Sequence, residues 1–178
     1  MVSVSGHVGP GPVTPVPTAQ TLFTFEGNEP TRWEAQTIGS AIAVKAVSPL
    51  FKEGKQSLQL NYALRSPQDR AALWTQLTGT ERDWTGYKTL GCWLFFGGTN
   101  SAVRFELRDP SGTWGSVVKD LKPGWQQVRL RLGDFVLPEN VRGTPLDLRA
   151  VTHLKVLAMP LRDGTQGMVC VDSMQLLP

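Results

Sequence analysis

The sequence predicts an all-β chain folded as an antiparallel β-sandwich of the jelly-roll kind. Three observations carry that expectation. About ten short segments alternate apolar and polar residues with a period of two, the mark of half-buried strands. Turn chemistry separates them, in keeping with 18 Gly and 13 Pro in 178 residues. No segment of any length shows the 3.6-residue period of an amphipathic helix; only 147–151 (AspLeuArgAlaVal) looks helical, for about one turn. Short strands without intervening helices are resolved by packing one sheet on another.

Residues 1–20 come first. They are uncharged and rich in Gly, Pro, Ser, Thr and Val, with no apolar face. Their prolines favour an extended spacer, so 1–20 reads as a linker or disordered tail and 21–178 as the folded module. Strand patterns follow at 21–26, 41–47, 57–64 and 72–77. In 57–64, Leu58, Leu60, Tyr62 and Leu64 oppose Gln59, Asn61 and Ala63. The next two segments are the most informative. Leu90, Cys92 and Leu94 share one face and Gly91, Trp93 and Phe95 the other. Val103, Phe105 and Leu107 then oppose Arg104, Glu106 and Arg108. Gly97–Asn100 reverses the chain between them, and the run AspProSerGly at 109–112 is a second turn signal. Further strands are expected at 116–121, 127–132, 152–158 and 168–176.

Composition narrows the function. Hydrophobic content of 40% and charged content of 19% are ordinary for a globular domain. The net charge of +3 is spread among acids without a basic run, which argues against nucleic acid as a partner. No stretch approaches 18 apolar residues, so no helical membrane span is expected. Cys92 faces inward and Cys170 falls out of phase with Val169 and Val171; nothing indicates a bridge, and free thiols are the expectation. Catalytic signatures are missing: there is no GxSxG, P-loop, HExxH or CxxC. His153 is the only histidine outside the tail, which excludes a multi-histidine zinc site and gives a His-based hydrolase triad little support. No enzymatic activity is expected.

An ordered set of motifs remains. PheThrPheGlu comes early, then GluGlyLysGlnSerLeuGlnLeu, AspTrpThrGlyTyr before LeuGlyCysTrpLeu, and PheGluLeuArgAsp. GlyTrpGlnGlnValArgLeuArgLeuGlyAspPhe, LeuAspLeuArgAlaValThr and ValCysValAspSerMetGlnLeu complete it. This order resembles the galactose-binding-like jelly roll of non-catalytic carbohydrate-binding modules, particularly those similar to families 11, 30 and 4. It also resembles the related domain of the complex I intermediate-associated chaperones. The resemblance covers roughly 22–177. It implies a concave sheet on which aromatic rings stack against sugars. It also implies a structural calcium near Glu26 and Asp172, with backbone carbonyls near Gly54 and Lys55 completing six to eight oxygens. Ser173 after Asp172 departs from the paired aspartates usual there.

Side chains can then be sorted. Trp33, Trp84 and Trp125 are expected to plug the ends of the sandwich, and Trp114 is open either way. Trp74 and Trp93 fall out of phase with the aliphatic residues of their strands and should point outward, each offering a flat face to a pyranose. Arg104 and Glu106 share a strand face, as do Arg129 and Arg131. Ion pairing on a solvated sheet is the ordinary role of such residues; hydroxyl or acid recognition by Arg104, Glu106 and Arg129 is the sharper one. Together these readings give a monomeric, secreted module, its signal lying outside this chain, that targets an attached glycan-active enzyme to a polysaccharide. Its rivals are a structural accessory domain packing on a catalytic neighbour and a protein-binding assembly factor. All five proposed ligand residues are expected on one dished surface.

Overall fold

A computed structural model describes residues 17–137, 145–162 and 164–178. Among the described residues, eleven strands form two antiparallel sheets. Sheet A contains β3 (Ile42–Ser48), β4 (Ser57–Leu64), β11 (Thr165–Leu177), β6 (Thr89–Phe96) and β9 (Gly124–Arg131) in that order, with β1 (Gln20–Phe23) also paired to β11. Sheet B runs β2 (Glu34–Ile38), β5 (Arg70–Gln76), β10 (His153–Pro160), β7 (Ser101–Asp109) and β8 (Gly112–Val117).

The alternation seen in the sequence decides which side chains meet between the sheets. Sheet A contributes Leu58, Leu60 and Leu64 from β4 and Leu90, Cys92 and Leu94 from β6. Sheet B contributes Leu73, Val103, Phe105, Leu107, Leu154 and Val156. Trp33 and Trp84 are fully buried at the margins of this core, and Trp114 joins it. Burial of this apolar surface at about 25 cal/mol per Å² is the main driving force of the fold. Both cysteines are free and buried; burial pushes the Cys92 thiol strongly upward, and the nearby Asp172 adds to it.

Some expectations shift. β2 was not foreseen, because every one of its residues is exposed and its sequence carries no alternation. β8 begins at Gly112, several residues before the anticipated 116–121, because Asp109 closes a tight hairpin. Its Oδ1 accepts the N–H groups of Ser111 (2.7 Å) and Gly112 (3.0 Å). Trp125 is half-buried on the outer side of sheet A beside Phe95, ring centroids 5.6 Å apart, and does not plug an end. Residues 147–151 make a single turn, with Ala150 N–H donating to Asp147 O. Residues 1–16, most of the anticipated tail, lie outside those described, and Gln20 already belongs to β1.

β11 contains a bulge. Its register with β6 slips between Asp172 and Gln175, and Ser173 takes a positive φ of 50°. Inward residues are Val169 and Val171 before the slip and Met174 and Leu176 after it. One extra residue thus flips the phase, allowing a thirteen-residue strand to stay on the core throughout.

Candidate functional site

The outer face of sheet B is built from three cross-strand rows. Glu34, Trp74, Lys155, Glu106 and Gly115 stand opposite one another on β2, β5, β10, β7 and β8. Gln76, His153, Arg108 and Thr113 form the row to one side; Gln36, Ala72, Leu157, Arg104 and Val117 form the other. Trp74 and His153 are diagonal neighbours, close enough for large side chains to touch. Their rings lie 5.5 Å apart at 33°, making one tilted aromatic ledge. A cleft of about 190 Å³ opens beside the ledge, lined also by Gln36, Glu106, Arg108, Thr113 and Lys155. Enclosed small-molecule pockets run to about 300–1,000 Å³, so this one is sized for a single ring of a longer chain.

Charge on this face is uneven. Glu106 serves two cations: Arg104 Nε lies 3.4 Å from Oε1 and Lys155 Nζ 3.8 Å from Oε2. The Arg104 contact has ion-pair distance but no hydrogen-bond alignment, leaving its Nε–H buried and unpartnered. Arg108 makes no ion pair among the described residues. Burial, then Arg108 and Lys155, lower the His153 pKa, so the ring favours its neutral form. Its Nδ1 sits 2.9 Å from Thr152 Oγ1. The ledge is therefore uncharged at neutral pH, while cations flank it.

Of the five sequence-predicted ligand residues, Trp74, Arg104 and Glu106 are on this face. Trp93 and Arg129 are not: they stand on the outer side of sheet A, on β6 and β9. The expected shared surface of all five is thus corrected to two surfaces. Period-two alternation distinguishes inward from outward, but a sandwich has two outsides. Trp93 is also engaged. Its indole N–H donates to Glu53 Oε1 at 3.0 Å, and the Lys52 ammonium sits 4.7 Å above the ring. That Trp93 bond and a 2.6 Å bond from the Ser173 hydroxyl hold the Glu53 carboxyl below the usual carboxylate range, Ser173 contributing most. His153, Lys155, Arg108, Gln36 and Thr113 were missed as site residues. A lone histidine gives no warning of an aromatic partner from another strand; only the cross-strand register does.

Glu26 and Asp172, the expected calcium ligands, both face the 49–56 loop. That loop turns amide donors towards them. Lys52 and Glu53 N–H donate to Asp172 Oδ2 at 2.8 and 2.9 Å; Lys55 and Gln56 N–H donate to Glu26 Oε1 at 2.8 and 3.2 Å. Gly54, at φ +73°, makes the approach feasible, since a Cβ there would collide with the Glu26 carboxyl. A calcium ion needs six to eight oxygens. Here Asp172 Oδ1 is the one buried carboxylate oxygen without a partner, and no group of three acidic, His or Cys side chains is placed to hold a metal among the described residues. Backbone amides hold one oxygen of each carboxylate, and the described residues do not gather the side-chain donors that a calcium ion needs, so the set does not fit one.

No protein-family model matches the sequence, and no curated protein matches it. Solved structures do. The chain is similar to a family 11 carbohydrate-binding module from Clostridium thermocellum in complex with a β-1,3-1,4-mixed-linked tetrasaccharide. The TM-score is 0.71 at 15% identity, over 89% of this chain and 95% of that one. It is similar to a carbohydrate-binding module specific for non-crystalline cellulose, with TM-score 0.54 and 11% identity over 94% and 99% of the two chains. A β-1,2-glucanase from Parabacteroides distasonis also matches, with TM-score 0.59 and 18% identity over 83% of this chain but 23% of the enzyme. The chain therefore shares the jelly-roll β-sandwich fold of these structures.

Proposed function

We propose that the chain is a non-catalytic carbohydrate-binding module whose site is the outer face of sheet B. The carrying observation is the Trp74–His153 ledge, set beside Gln36, Glu106, Arg108 and Lys155 on an open sheet. A pyranose presents C–H groups on its face and hydroxyls around its rim. The ledge suits the first, and the polar side chains suit the second. The likeness in fold to modules whose names state a glycan ligand supports the same reading.

Recognition of this kind is shallow and wet. Its affinity falls on the order of 1 mM to 1 μM, or about 4 to 8 kcal/mol. Such a module acts by raising the local concentration of an attached enzyme at its polymer, in the manner of any tethered binder. That a similar domain occupies about a quarter of a glucanase chain favours a glycan-active enzyme as the companion. The setting would be extracellular, the module monomeric and the companion fused to it. Affinity electrophoresis through gels carrying cellulose derivatives, mixed-linkage β-glucan, agarose and uronate polymers tests the proposal. At least one gel should retard the protein, and Trp74→Ala should migrate freely in it. Uniform mobility in every gel would refute the function.

One observation favours a second reading, a sandwich that packs on a catalytic neighbour. Ile42, Val44 and Val47 on edge strand β3 are each about half exposed. That reading predicts no retardation by any glycan.

A further inference from the structure

Strands β8 and β9 are the edge strands of the two sheets on the same flank of the sandwich, and a groove of about 1180 Å³ runs between them. Four cations line it: Arg104 and Lys119 from the sheet B side, Arg129 and Arg131 from β9. Asp134 is the only acid lining it among the described residues. Lys119, Arg129 and Arg131 are exposed and make no ion pair among the described residues. Arg129 and Arg131 alternate with buried Val128 and Leu130, so both project on the outer side of sheet A at its β9 edge, and they meet the groove from the flank opposite the β8 edge of sheet B.

The groove and the aromatic cleft are separate hollows with no lining residue in common, and Arg104 bridges them: it lines the groove and its Nε lies 3.4 Å from Glu106 of the cleft. Arg104 borders the Glu106 end of the cleft and lies across β8, where Gly115 leaves it room; a Cβ at Gly115 would collide with the guanidinium. Its Nε–H is buried and unpartnered. From Trp74 on β5 to Gly115 on β8 is three strand spacings, about 14 Å. A polymer lying on the ledge and crossing β10 and β7 would therefore reach Gly115, the sheet B rim of the groove, and would have to turn over the β8 edge to meet Arg129 and Arg131.

We propose that this groove takes the acidic groups, carboxylate or sulfate, of a glycan chain whose rings lie on the Trp74 ledge. The inference rests on the reading of sheet B as a glycan site and adds the ligand's charge class. Guanidinium groups pair with either acid through two parallel N–H donors. Lys119 adds a compact charge at the groove wall.

The test is calorimetry on the full chain with polyguluronate (carboxylate), a sulfated galactan (sulfate), neutral mixed-linkage β-glucan and a duplex DNA of matched length. Wild type should bind one acidic glycan at least tenfold more tightly than neutral glucan, and raising salt to 0.5 M should erase most of that margin. The variant Arg129→Gln/Arg131→Gln should lose on the order of tenfold for the acidic glycan. It should stay within about twofold of wild type for the neutral one, since neither arginine lies on sheet B. Which acidic polymer is preferred distinguishes carboxylate from sulfate. Unchanged acidic-glycan affinity in the double variant overturns the proposal, as does DNA binding as tight as that of the glycan. If wild type binds neutral glucan through Trp74 and ignores both acidic polymers, the charge class is wrong and the glycan site stands. If it binds none of the glycans, the glycan site itself is refuted and this inference with it.

Discussion

Replacing Trp74 and Trp93 separately by alanine distinguishes the two faces of the sandwich. Both are half-buried tryptophans on outward strand positions. Trp74 forms the ledge with His153. A half-buried indole offers on the order of 100 Å² of apolar surface to a ligand, worth about 2–3 kcal/mol at 25 cal/mol per Å². Trp74→Ala should therefore weaken glycan binding roughly 30- to 150-fold, enough to abolish retardation in a gel for a millimolar to micromolar binder. Its fold should persist, because the core cluster does not include it. Trp93→Ala should do the reverse. It removes a hydrogen bond to Glu53 and the contact with Lys52, costing about 1–2 kcal/mol of stability. That lowers Tm by about 2–8 °C for a domain of this size and leaves glycan affinity within twofold. Titration calorimetry and a thermal melt on each variant are sufficient. If Trp93→Ala abolishes binding while Trp74→Ala preserves it, the site has been placed on the wrong sheet.

Three other outcomes follow from particular contacts. Gly54→Ala places a Cβ against the Glu26 carboxyl at a positive φ, so it should destabilise by about 1–3 kcal/mol in a denaturant melt; a neutral result would mean the loop is not tied as described. Because amides already hold Asp172 Oδ2 and Glu26 Oε1, a chelator should leave Tm within about 1 °C, whereas a bound ion would stabilise by mass action. His153 is held below its ordinary pKa by burial, Arg108 and Lys155. The unfolded chain therefore binds its proton more readily, and the stability present above the unfolded pKa of about 6.5 is lost as pH falls through the folded value. Between pH 7 and pH 5 wild type should lose more Tm than His153→Gln; equal losses would show that the ring is not so constrained.

Much of the fold could be read directly. The strands of the core announce themselves because Leu58, Leu60 and Leu64, or Val103, Phe105 and Leu107, recur at period two against polar neighbours. β2 gave no such signal, since a strand exposed at every position has no reason to alternate. Less of the site was legible. Outward orientation is a local property of one strand, and the sequence supplied it for Trp74, Trp93, Arg104, Glu106 and Arg129 alike. Which sheet a strand joins is set by long-range pairing, such as β10 between β5 and β7, and leaves no local trace. His153 shows the same limit, since its significance comes from Trp74, seventy-nine positions earlier in the numbering. Glu26 and Asp172 both meet the 49–56 loop, but whether that loop offers them carbonyls or amides depends on the peptide orientation around Gly54, which no local pattern announces.

β1 lies beside the final stretch of β11, with Gln20 opposite Leu176. The way into the domain and the way out are thus adjacent, and both belong to the layer facing away from the aromatic cleft. Gln20 and Leu176 being neighbours, the unit from β1 to β11 could be spliced into a surface loop of a host protein without separating the two ends of that loop, and it would be tethered through the sheet that does not carry the cleft.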